Sequence, residues 1–245
     1  MSTAARNDLR YPLRAVAALL AYPDEALQAN LDEIADVLCV QPLLEPADRA
    51  ALEGYVDWLR GEDLLDLQAA YVETFDRSKK VSLYLFEHVY GESRDRGPAM
   101  VELAGAYREQ GLEIEGRELP DFLPMFLEFC AELPEAKARE WLDEVGPIVQ
   151  QVHVRLGLRE SRFALPFRVL LRLLELEPDP EGLVEEASKE ERDDTREALD
   201  RTWMEAPVTF GPDQPRTSCG ATKQWQEHPV QWVDRRQAAG HSAEE

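Results

Sequence analysis

The sequence predicts an all-α protein, a single compact multi-helix domain of roughly nine to eleven helices. Three observations lead there. Apolar residues recur three and four positions apart in nearly every segment of the 245-residue chain. Alternating apolar–polar runs of the kind that make a half-buried strand are nearly absent. No hairpin dipeptide joins two apolar stretches.

The elements follow in order. AVAALLAY (Ala15 to Tyr22) comes directly after Arg14. It is far shorter than the about 20 apolar residues that cross a bilayer. No convincing cleavage site follows it, so it reads as a core helix rather than a signal segment. In DEALQANLDEIADVL, Asp24 caps a helix start, and Leu27, Leu31, Ile34 and Leu38 form one continuous apolar stripe. PADRAALEGYVDWL puts Leu52, Tyr55, Val56 and Leu59 on one face, and DLLDLQAAYVETF does the same with Leu64, Leu67, Tyr71 and Phe75. Leu83 to Tyr90 is an apolar helix that ends at Gly91. Asp95 with Pro98 opens the next helix, lined by Met100, Leu103, Ala104 and Tyr107, and Gly111 stops it.

Pro120, or Asp121 as cap, opens a helix carrying Phe122, Leu123, Phe126 and Leu127. A long helix runs from Pro134 to Leu156, with a break or kink expected at Pro147. RFALPFRVLLRLLEL (Arg162 to Leu176) is a buried helix. Beyond Pro178 the apolar positions become sparse (Leu183, Ala187, Leu199 and Trp203), as on a solvated surface helix. The expected organisation is an N-terminal extension (1–10), a helical domain (11–205) and an irregular or disordered tail (206–245).

Charge narrows the functional classes. Forty-nine acids against 27 bases give a formal charge of −22. Such a surface repels nucleic-acid phosphates and anionic lipid, so neither is an expected partner. It attracts a basic segment. Cys39, Cys130 and Cys219 are far apart and form no CxxC pair, which fits free thiols in the cytoplasm.

No catalytic motif is present: there is no GxSxG, no GxxxxGK[ST] and no GxGxxG. His88 and Glu92 lie four apart, but a metal site needs three or four converging ligands, and no other histidine is near in sequence. Cys219, His228 and His241 match no zinc spacing. No catalytic, cofactor or metal residue is therefore assigned. In GESRDRG, Arg94 and Arg96 suit either a forked anion contact or an ion-pair network that caps two helices. The aromatics Tyr71, Phe75, Tyr84, Phe86 and Tyr90 are core by default. They also border that charged turn, and an apolar groove rimmed by charge is how helical proteins accept an amphipathic partner helix.

The stretch YVETFDRSKKVSLYLFEHVYGESRDRGPAMVEL, followed by ELPDFLPMFLEF, resembles the NarJ-type nitrate reductase assembly chaperones, within the wider all-helical superfamily of molybdoenzyme maturation chaperones. LLAYPDEAL, ESRFALPF and ERDDTREALDRTW extend the likeness from Tyr11 to Phe210. The resemblance implies a non-enzymatic, cytoplasmic chaperone with no cofactor of its own; a monomer is the default expectation. Its client is the N-terminal segment of the apo catalytic (alpha) subunit of a membrane-bound respiratory nitrate reductase. It implies help with inserting bis-molybdopterin guanine dinucleotide into that client, dealings with molybdenum cofactor delivery proteins, and restraint of premature membrane docking. The competing readings are a chaperone for a dimethyl sulfoxide or trimethylamine oxide reductase, which GESRDRG disfavours, and a hydrolase on a helical scaffold, which lacks a nucleophile.

For such a client the candidate walls are Tyr71, Phe75, Leu83, Phe86 and Tyr90, with His88 beside them. The candidate rim is Glu87, Arg94, Asp95, Glu118, Asp121 and Glu128. One departure stands out: Phe122 follows ELPD where the resemblance implies His. Any pH tuning through that position is then lost here or falls to His88.

Overall fold

The computed structural model describes residues 8–91, 93–114 and 118–203. Glu92, Cys219, His228, His241 and the expected tail lie outside the described residues. Among the described residues there are twelve α-helices, one 3-10 turn (Lys79–Val81) and no strand. The helices are α1 (Arg10–Leu20), α2 (Glu25–Ala29), α3 (Leu31–Cys39), α4 (Pro46–Gly61), α5 (Leu64–Phe75) and α6 (Leu85–Tyr90). After them come α7 (Arg96–Glu109), α8 (Leu123–Glu132), α9 (Glu135–Leu158), α10 (Ala164–Leu173), α11 (Glu181–Lys189) and α12 (Arg196–Trp203).

The count exceeds the expected range by one because two expected helices each divide: the surface helix beyond Pro178 into α11 and α12, and DEALQANLDEIADVL into α2 and α3. Asp24 does cap the first, accepting the Leu27 amide at 2.7 Å. At Asn30 the chain leaves helical geometry (φ −107°, ψ 10°), and the Asn30 side chain donates to the Ala26 carbonyl at 2.8 Å, closing the end of α2. The apolar stripe survives because Leu27, Leu31, Ile34 and Leu38 are all buried across the break.

The centre of the fold is α1. It is apolar nearly all round, with Leu13, Val16, Ala17 and Leu20 fully buried, as a helix enclosed by others must be. It lies along α8 and also touches α10 and α3. The long α9 packs on α10 and α11. It continues through Pro147 as one helix rather than ending there. Beside it, Gly146 lets Leu176 lie close, since a Cβ would meet Leu176 Cδ1 at 2.7 Å and push that side chain aside. The buried helix expected from Arg162 is α10, with Phe167, Val169, Leu170, Leu171 and Leu173 fully enclosed.

Tyr71, Phe75 and Leu83 are core residues, 5%, 6% and 4% exposed. Tyr71 packs on Phe75 and Phe163, and its hydroxyl donates to the Leu20 carbonyl at 2.9 Å. As placed, these three close the interior and present no open wall.

Candidate partner-binding surface

The helix expected from Leu83 starts two residues later, because Tyr84 pairs instead with Phe122 in an antiparallel bridge. That bridge joins the starts of α6 and α8. The Leu85 amide donates to the Asp121 carbonyl at 2.9 Å, and the Leu123 amide donates to the Leu83 carbonyl at 2.8 Å. Every helix start leaves amides without intrahelical partners. Here each start satisfies an amide of the other.

Asp121 completes the junction. It is fully buried, so it is no rim charge and does not cap its own helix. Its carboxylate accepts the Phe86 amide at 3.0 Å, which makes it a cap for α6 across 35 residues of sequence. Burial pushes its carboxyl up from the usual carboxylate range, opposed by the Phe86 amide and by Arg96 at 3.7 Å.

Around this junction several expected residues meet. Glu87 pairs with Arg96 at 3.4 Å. Arg94 is exposed, so the fork expected from Arg94 and Arg96 is replaced by a single arginine turned inward and another facing solvent. Glu118 accepts the Tyr84 hydroxyl at 2.6 Å, and burial together with Glu118 raises that phenol above its ordinary value. Phe122 lies against Tyr84 with ring centroids 5.5 Å apart. Phe86 and Tyr90 are half-buried and meet edge to face at 5.4 Å. His88 is held by the Ser82 carbonyl at 2.9 Å. Burial lowers its pKa, with Arg155 acting in the same direction and the Ser82 contact and Glu87 opposing.

Asp95 precedes α7 with helical backbone angles and accepts from the Ser93 hydroxyl at 3.1 Å, so it does not cap the helix by side chain. Gly91 (φ 52°) and Gly111 (φ 76°) adopt left-handed backbone, where only glycine is unstrained, and they bracket this region as the sequence suggested. Large apolar side chains remain in solvent on the same elements: Val89 on α6, Val101 on α7, and Leu119 before α8.

Glu128 lies elsewhere, on a groove of about 570 Å³ between α1, α7 and α8. Tyr107, Leu112, Ile114, Met125 and Phe129 supply its apolar lining, and Glu113, Glu128 and Glu132 its acids. Arg14 answers one of them through an ion pair with Glu132. Burial raises the Glu128 carboxyl, with Arg14 opposing. The groove and the α6/α8 junction are tied together by Tyr107, whose hydroxyl donates to the Pro120 carbonyl at 2.7 Å. Sequence reasoning missed Arg14, Met125, Phe129 and Glu132. Met125, Glu128, Phe129 and Glu132 do fall three and four apart, a single face of α8 that was legible in the spacing.

No His, Cys, Asp and Glu cluster able to hold a metal occurs among the described residues, and no helix there is long and apolar enough to cross a membrane.

The family model described as nitrate reductase delta subunit matches residues 41–156. The nitrate reductase molybdenum cofactor assembly chaperone NarJ of Escherichia coli K12 is 44% identical over 205 residues, which is 84% of this chain and 86% of that protein. The chain belongs to the NarJ-type nitrate reductase assembly chaperones. A probable assembly chaperone of the same organism, NarW, is 40% identical over 211 residues (86% of this chain, 87% of the relative). The probable NarJ of Bacillus subtilis is 31% identical over 169 residues (69% and 91%). The NarJ-type proteins are assembly chaperones and not catalysts.

Proposed function

We propose that this chain binds the N-terminal segment of the apo catalytic subunit of a membrane-bound respiratory nitrate reductase. It acts in the cytoplasm, as a monomer. While bound, it keeps the client open for bis-molybdopterin guanine dinucleotide, brought by molybdenum cofactor delivery proteins, and holds it back from the membrane subunit. The chaperone needs no cofactor of its own for this.

The observation that carries the reading is the groove on α8. Its lining is apolar, and its acids outnumber its one arginine. An amphipathic helix with basic flanks fits such a lining, the apolar face entering and the acids fixing orientation. The 44% identity to an Escherichia coli assembly chaperone supports the choice of client. The exposed Val89, Val101 and Leu119, with Glu87, Arg94 and Glu118, extend the surface toward the α6/α8 junction.

Calorimetry of the full chain with a synthetic N-terminal client peptide tests this. Binding at micromolar concentration or tighter is expected. Binding only to the leader peptide of a dimethyl sulfoxide or trimethylamine oxide reductase would move the chain to that branch of the superfamily.

A further inference from the structure

A second cavity, of about 600 Å³, lies between α4, α9 and α10, and the client-binding reading makes no use of it. Its volume falls within the range of small-ligand sites. Its walls are kept low by small residues: Ala47, Ala51 and Gly54 of α4, with Gly157 of α9 and Ala164 of α10. A Cβ added at Gly54 or Gly157 meets nothing within 4 Å, so the space continues over both. Among the described residues, none of the large exposed apolar side chains lines this slot, whereas a groove for a partner helix is edged by such residues.

Seven of its thirteen lining residues are polar or charged, and most of these are fixed. Asp48, fully buried, accepts from Arg168 Nε at 2.6 Å and from Arg172 Nε at 3.1 Å. Asp179 reaches Arg168 at 3.3 Å and His153 Nε2 at 3.2 Å. Those charges answer one another. Besides the partly exposed Ser161 hydroxyl, two groups are left over. The Tyr55 hydroxyl, on a residue only 4% exposed, has no hydrogen-bond partner among the described residues, although buried hydroxyls nearly always find one. The Arg162 guanidinium stands 5.3 Å from the Trp58 ring centroid and makes no ion pair among the described residues, in a chain whose formal charge is −22.

We propose that this slot binds a small, flat, apolar organic carboxylate, its ring against the Ala and Gly walls and its anionic group on Arg162. The small residues give a ring room to lie close to the helix backbones, as a large side chain would not. The Trp58 face holds the guanidinium in place, so a bound carboxylate costs little in lost side-chain freedom. A ring-borne acceptor that reached the Tyr55 hydroxyl would give that group its missing partner. This site is independent of the acidic groove on α8, which repels the same anion.

Amide NMR of the full chain titrated with 1-naphthoate tests the proposal, with naphthalene-1-carboxamide as the neutral counterpart. Saturable shifts are expected at Gly54, Gly157 and Ala164. The carboxamide and the Arg162→Gln variant should each bind about tenfold more weakly, since a charge-assisted contact is lost. Gly54→Leu sends a side chain into the slot from a Cβ that meets nothing within 4 Å, and it favours the helix, so it should abolish the shifts while the melting temperature holds. Saturating client peptide should leave naphthoate binding unchanged. Shifts gathered at Met125 and Phe129, equal affinity for the neutral amide, or full binding by Gly54→Leu would each overturn the proposal.

Discussion

The backbone amide of Phe86 donates to the buried carboxylate of Asp121 at 3.0 Å. A residue just before α8 thus caps α6. Asp121→Ala leaves that amide without its acceptor and should cost about 1–3 kcal/mol in urea denaturation. Asp121→Asn keeps an acceptor and should cost clearly less. Equal losses for both would show that the capping contact contributes little.

Asp48 is the most consequential buried charge. Removing it in Asp48→Ala strands Arg168 and Arg172, which lie on the interior side of α10. Both arginines keep some contact with water, so the expected loss is near the low end for a broken buried pair, about 3 kcal/mol. Asp48→Asn should lose nearly as much, because shape is kept and charge is not. Denaturation midpoints of the two variants check this.

Stability should fall on mild acidification. Burial lowers the pKa of both His88 and His153 below the ordinary 6.5, with Arg155 adding to the effect at one and Arg168 at the other. As pH falls through 6.5 the unfolded chain takes up protons that the folded chain refuses, so folding is disfavoured until the folded pKa values are reached. The slope is at most about 1.4 kcal/mol per pH unit for each histidine. Melting temperatures at pH 7.5 and 5.5 measure it, and His88→Gln with His153→Gln should flatten the difference. If client affinity varies with pH through His88, the same substitution removes that variation.

Client affinity should respond to the groove in two separable ways. Met125→Lys puts a charge on the apolar lining and should weaken the client peptide about tenfold or more. Glu113→Gln with Glu128→Gln should weaken it less and flatten its dependence on salt, because the acids act at longer range. Calorimetry at low and high ionic strength distinguishes the two.

Arg94 and Glu87 test the neighbouring surface. Arg94→Ala should lower client affinity and leave the melting temperature unchanged. Glu87→Ala also breaks the half-buried pair with Arg96, worth up to about 1 kcal/mol. An unchanged affinity for both would confine the client to the α8 groove.

The fold was legible wherever one face of one helix decides the structure. Leu27 to Leu38, Leu52 to Leu59 and Leu67 to Phe75 all bury as their spacing requires, while Leu64, at the start of α5, is only half-buried. The break at Asn30 was not legible, because the apolar stripe runs straight across it. Tyr71 and Phe75 show the limit of reading aromatics: an interior and a groove demand the same side chains, and only Phe163 and Leu20, far along the chain, decide between them. Asp121 shows a second limit. A capping residue looks local in sequence, yet its partner is 35 residues away. The α8 face of the groove lay in the spacing of Met125, Glu128, Phe129 and Glu132; its opposite side, Arg14 and Tyr107, exists only once α1 and α7 are packed.

The paired starts of α6 and α8 fasten the two ends of a long excursion of chain, from Tyr84 to Phe122. Within it, α7 buries only Leu103 and Tyr107 and has little contact with other helices. A segment with few buried contacts opens at low free-energy cost. Of the described residues in this excursion, those of α7 are therefore held less firmly than the two joined ends. The amides of Leu85 and Leu123 should exchange with solvent together and slowly, and those on the exposed side of α7 earlier, while Tyr107 stays anchored to the Pro120 carbonyl and the Phe129 ring.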